Sequence, residues 1–133
     1  NPAISKNVAI LWGGVNDSNQ TAATIYSRIQ TWYRARITAG WTTIVCTECP
    51  SKHATQIANG WDAKRLTVNT NIRDDAAAEG YTVADLAGNA AFNADADADD
   101  TTYYNADKIH LNDTGADLVG TIIKDALATV GVT

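Results

Sequence analysis

Two short blocks of this chain combine residue types that can do chemistry. In Gly13-Gly14-Val15-Asn16-Asp17 the glycines let the backbone turn tightly, and an asparagine at that place can aim its amide N–H at a developing negative charge. In Asp107-Lys108-Ile109-His110 a carboxylate three residues before a histidine can fold back onto one ring nitrogen. That contact fixes the tautomer and leaves the other nitrogen as a general base. Each block taken alone also has a plain structural reading: a turn for Asn16-Asp17, and the approach to a helix for Asp107 to His110. Their chemistry depends on the elements that bring them together.

Those elements follow from periodicity. Val8-Ala9-Ile10-Leu11-Trp12 is a short apolar run stopped by Gly13-Gly14, the pattern of a strand buried on both faces of a parallel sheet. From Thr21 to Ala39 the apolar residues Tyr26, Ile29, Tyr33 and Ile37 recur at helical spacing, with Ser18 or Thr21 as N-cap and Gly40 as stop. Thr42 to Thr47 is β-branched and continuous, a second strand. Trp61, Val68, Ile72 and Ala76 mark a second helix ending at Gly80, and Thr82 to Leu86 a third strand. Ala87 to Asp107 has no clear period, and Asp113 to Val130 closes the chain as an amphipathic helix. Alternating strands and helices predict an α/β domain, a three-layer α/β/α sandwich around a parallel sheet. In such sheets functional groups gather where strands end, and both polar blocks fall at such places.

Composition narrows the partners. At 133 residues the chain is one domain, and a formal net charge of -5 without a Lys/Arg cluster argues against nucleic acid. No apolar run approaches the roughly 20 residues that cross a bilayer, so no membrane partner is expected. Few lysines, many Asn, Thr and Asp residues and no methionine point to an extracellular or virion-associated protein. With Asn1 as its first residue and no leader pattern, the chain reads as a piece of something longer. Cys46 and Cys49 lack the helix start of a redox pair and the second pair of a zinc site, which favours an inert pair or a local disulfide over a thiol redox protein.

Gly14-Val15-Asn16-Asp17 resembles the G-x-N-D block of the SGNH (GDSL-like) hydrolases, and Asp107-Lys108-Ile109-His110 their D-x-x-H block. The family's last block continues D-x-x-H-L-N-x-x-G before a C-terminal helix, and here Leu111, Asn112 and Gly115 stand at those positions. The likeness runs from Val8 to the final helix. It implies a flavodoxin-like SGNH fold and a serine esterase acting through a covalent acyl-enzyme. His110 would be the general base, Asp107 its orienting carboxylate, Asn16 an oxyanion donor, and Gly14 part of the motif for its backbone shape. No cofactor and no metal is implied.

The resemblance breaks at the nucleophile. The family's serine sits in an upstream G-D-S-type block, with a glycine donor in a second block, and neither is present. Ser5, Ser18, Ser27 and Ser51 do not follow a strand in that motif, and Ser18 reads as a cap or loop hydroxyl. In the family's strand order 2-1-3-4-5 the first two strands would then be missing from this chain, leaving Val8 to Trp12 with an open edge. The expectation is that residues 1–133 form the C-terminal portion of a single SGNH domain, partnered by its N-terminal part, either cleaved from it or present as a second chain. The substrate would be a small acyl ester, with O-acetyl groups on polysaccharide favoured. The rival is a carbohydrate-binding or structural module that kept this fold without its chemistry.

Other features carry less. The alternation of Asp95, Asp97 and Asp99 lacks the glycine and glutamate of an EF-hand and reads as a solvated acidic loop. Tyr103 and Tyr104, just before the histidine block, are substrate-contact candidates through stacking on a sugar, or packing residues of the loop. Trp12, Trp32, Trp41 and Trp61 read as core or helix contacts, and His53 as exposed. Of the sequons at Asn16, Asn19 and Asn112, two overlap the proposed site, and they read as accidental, which suits a bacterial or phage source.

Overall fold

The computed structural model describes residues 6–132. Strand β1 (Val8–Leu11) is followed by a 3-10 turn at Val15–Asp17 and helix α1 (Ala22–Thr38). Thr21 caps α1, its hydroxyl accepting the Thr24 N–H at 3.1 Å, and Gly40 ends the turn at φ +81°, a conformation that favours glycine. Strand β2 (Thr42–Cys46) leads through helix α2 (Ala54–Ala58) into helix α3 (Trp61–Glu79). Strand β3 (Thr82–Ala84) follows, then 3-10 turns at Leu86–Gly88 and Asp95–Asp99, and helix α4 (Asp113–Thr129). Strands and long helices lie where the sequence pattern places them, with ends shifted by a residue or two. Helix α2 is the exception, since five residues are too few to show a period.

The three strands form a parallel sheet in the order β1-β2-β3, with Val8 opposite Thr42 and Ile44 opposite Thr82. Successive side chains of a strand point to opposite faces, and β2 divides accordingly. Ile44 and Cys46 join Ala84, Leu86, Phe92, Tyr104 and the apolar face of α4 in one core. Val45 joins Ile25, Ile29 and Tyr33 of α1 and Trp61, Val68 and Ile72 of α3 in the other. Helices therefore pack on both faces of a parallel sheet, as the α/β reading requires. Among the described residues no helix is long and apolar enough to cross a membrane.

Several readings need correction. Trp61 is fully buried, but Trp12 and Trp41 are exposed at 43% and 42%, close to β1 and its similarly exposed Ile10. Trp41 and Ile10 border a groove of about 480 Å³ on the outer side of β1, where no further described strand pairs. The acidic loop is packed rather than merely solvated: Phe92 and Ala98 are buried, and Asp99 binds Lys52 at 2.7 Å and Lys108 at 2.6 Å. Cys46 and Cys49 are free thiols, both buried. Burial pushes Cys46 up to about 12 and raises Cys49 as well, so neither is a thiolate near neutrality.

Candidate functional site

Parallel strands end on one edge of the sheet, and a cavity of about 470 Å³ opens there. Its walls are Trp12–Asn16 after β1, Glu48–Pro50 after β2, Ile109–Leu111 before α4, and Ala116 and Val119 of α4 itself. Gly14, Asn16 and His110 thus meet in one place, although nearly a hundred residues separate the two blocks in the chain.

The histidine block is a self-contained turn. Asp107 Oδ1 accepts the backbone N–H groups of Ile109 at 3.1 Å and His110 at 3.0 Å, while Oδ2 lies 2.7 Å from His110 Nδ1. The His110 side chain, hydrogen bonding its carboxylate through Nδ1, together with the two backbone donors, pulls the Asp107 carboxyl down to about 2. An ionised carboxylate only accepts, so Nδ1 carries a proton, and in the neutral imidazole Nε2 has a free lone pair. The imidazole is otherwise open, its side chain 75% exposed.

The turn is bound to its surroundings at both ends. Tyr104 and Leu111 form an antiparallel bridge, and Asn112 N–H donates to Tyr103 O at 2.9 Å. The Asn112 side chain caps α4 by accepting the Gly115 N–H at 3.1 Å, and its amide donates to Thr101 O at 2.9 Å. Gly115 is required by contact: a Cβ there would stand 2.3 Å from Tyr103 O. These are the structural tasks of the residues that follow His110 in the motif.

The opposite wall holds a residue that sequence reasoning passes over. Glu48 is 2% exposed, and one carboxylate oxygen, Oε1, has no hydrogen-bond partner. Burial pushes its carboxyl up to about 7, against the opposing pull of the nearby Gly13 backbone N–H. Its peptide is clamped by Asn69 of α3, whose Oδ1 accepts the Glu48 N–H at 2.6 Å and whose Nδ2 donates to Glu48 O at 2.9 Å. The next two carbonyls are held as well, Cys49 O by Trp61 Nε1 at 3.2 Å and Pro50 O by the Tyr104 hydroxyl at 3.1 Å. The only sequence signal is an acid between a β-branched strand and Pro50, without a spacing partner.

Tyr104 is 2% exposed and committed to Pro50, so it offers no stacking face. Tyr103 stands edge-on to Phe92 with ring centroids 5.9 Å apart, and neither tyrosine lines the cavity. Tyr104 thus takes the packing alternative, and Tyr103 is a half-buried neighbour of Phe92 outside the cavity. No described serine lines the cavity either. Ser18 is buried and accepts a hydrogen bond from Asn59 at 3.1 Å, Ser51 donates to Lys108 O at 3.2 Å, and Ser27 is an exposed residue of α1. Ser5 lies outside the described residues. The described residues include no group of three His, Cys, Asp or Glu side chains that could hold a metal. No protein-family model, curated protein or solved structure matches this chain.

Proposed function

We propose that this chain is the C-terminal portion of an SGNH-type serine esterase domain whose nucleophilic serine is supplied by an upstream segment. The observation that carries the reading is the Asp107–His110 pair, with Nδ1 at 2.7 Å from the carboxylate, on the rim of the cavity that Gly14 and Asn16 also line. In the reaction, the serine Oγ–H proton passes to His110 Nε2 as Oγ attacks the ester carbonyl carbon. Asn16 hydrogen-bonds the resulting oxyanion. Collapse breaks the C–O bond, His110 returns the proton to the leaving alcohol, and water repeats the sequence on the acyl-serine to release the acid.

The open side of β1 supports the partner in this reading. A strand of the upstream segment would pair with the free edge of Val8–Leu11 and cover Ile10 and Trp12, removing an exposed apolar edge. The substrate class is small acyl esters, with O-acetyl groups on an extracellular or virion-bound polysaccharide of a bacterial or phage system as the favoured case. The lack of a described serine at the cavity favours one other reading, a binding module of the same fold.

The test is labelling of the native material with a fluorophosphonate probe, followed by denaturing mass spectrometry. The expected result is label on an accompanying polypeptide, this chain unmodified, and loss of both labelling and ester turnover in His110→Ala. Full turnover in that variant would overturn the assignment. No label and no turnover, with retained binding to polysaccharide, would establish the binding module instead.

A further inference from the structure

Glu48 is a buried acid that the proposed reaction does not use. Its carboxyl lies against the turn that carries Asn16: Cδ and Oε1 are both 3.1 Å from where a Cβ on Gly14 would stand, so only glycine admits it at ordinary distance. The Gly13 backbone N–H lies near the same carboxyl, while Asn69 fixes the Glu48 peptide from α3. The side chain is therefore a strut between a rigid helix and the first polar block, and Oε1 ends in a buried space with no donor.

We propose that Glu48 is a positioning residue, whose carboxyl holds the Gly13–Asn16 turn and sets how Asn16 presents its amide to the cavity. The catalytic consequence rests on the esterase reading, whereas the coupling between Glu48 and the turn does not. As an acid, the carboxyl meets the Gly13 N–H as a neutral group. As an anion it attracts that N–H more strongly but leaves Oε1 charged and unpaired at low dielectric. The turn should therefore shift with the carboxyl's state.

Few other charges could mimic this behaviour. Cys46 and Cys49 on the same segment are buried thiols, and Asp17, which ends the 3-10 turn, pairs with Arg28 at 2.6 Å. Arg65 of α3 is directed to Asp62 at 2.7 Å and to Asn93 O at 3.1 Å. The residues of α4 that line the cavity, Ala116 and Val119, carry no charge. His110 on the facing wall is the group that must be separated from Glu48.

The experiment is an NMR pH titration of the isotope-labelled chain through neutrality, following the Glu48 carboxyl carbon, the Gly13 and Gly14 amides and the Asn16 side-chain amide. They should move together with a midpoint near 7, unchanged in His110→Ala. In Glu48→Gln, which keeps the shape, the amide signals should stay flat. Should that variant fail to fold, comparison of the carboxyl carbon with the amides in the unaltered chain and in His110→Ala decides alone. Loss of the amide midpoint in His110→Ala, its persistence in Glu48→Gln, or a carboxyl titration with still amides would each overturn the proposal. Absence of esterase activity would remove the esterase reading and leave this coupling standing.

Discussion

Helix α4 contains two glycines that should respond oppositely to the same substitution. At Gly120 an added Cβ meets nothing within 4 Å, so Gly120→Ala exchanges a poor helix residue for the best one. The expected gain is about 0.5–1 kcal/mol. At Gly115 the Cβ would stand 2.3 Å from Tyr103 O and 3.1 Å from Leu111 Cβ. The first of these is backbone, and the same oxygen accepts the Asn112 N–H at 2.9 Å, so it cannot yield without loosening the junction. Forced overpacking costs about 1–3 kcal/mol. The helix preference favours both variants alike, so the difference between them isolates the collision, about 1–3 kcal/mol. For a chain of this size that is roughly 4–12 °C in melting temperature. Thermal unfolding followed by circular dichroism measures it, with urea unfolding as a check that cooperativity is kept. If Gly115→Ala melts at or above Gly120→Ala, the packing of α4 against the Tyr103 backbone is wrong, and the placement of His110, which depends on the same junction, falls with it.

Three further outcomes follow from the same structure. Asp107 titrates at about 2, below its ordinary 3.8, so its contribution to stability is complete above the ordinary value and is lost as pH falls through the lower one. Asp107→Asn should flatten that acid limb in pH-dependent urea unfolding and, with the serine segment present, lower turnover by about 10⁴-fold. Glu48 behaves in the opposite sense: its folded value of about 7 lies above the ordinary 4.5, so stability falls as pH rises between the two. Glu48→Gln should remove that decline and be more stable above neutrality, by an amount on the order of a few kcal/mol, in the same unfolding assay. Ile10→Lys, at a site already 40% exposed, should leave the melting temperature of this chain nearly unchanged. It should weaken capture of a strand on β1 by roughly 1 kcal/mol or more, about fivefold, measured by calorimetric titration with the serine segment.

What can be read from the sequence is what is local. Strand β2 and helices α1, α3 and α4 announce themselves by period and by their caps, and Asp107 finds His110 because three residues of chain suffice to close the contact. What cannot be read depends on partners distant in sequence. Asp99 is neutralised by Lys52, 47 residues away, so a run of acids looks solvated until the fold brings the lysines in. Glu48 is buried by the turn after β1 and clamped by Asn69, neither of which leaves a mark around Thr47-Glu48-Cys49. Trp12 and Trp41 read as core by residue type, yet they stand beside a strand whose outer edge is open among the described residues.

Lys108 has the one positive φ, 59°, among the described residues other than glycine, and that fact bears on which sequences could replace this one. Its carbonyl is turned so that it accepts the Lys52 N–H at 2.9 Å and the Ser51 hydroxyl at 3.2 Å, which ties the histidine turn to the segment after β2. The left-handed backbone is therefore a demand of the junction and not of the lysine. Glycine and asparagine should be welcome at position 108, whereas valine, isoleucine and threonine should be excluded by their branched Cβ. The second position of Asp107-Lys108-Ile109-His110, which a motif would leave blank, thus has an alphabet of its own, and a library randomised there would reveal it by which residues survive selection for folding.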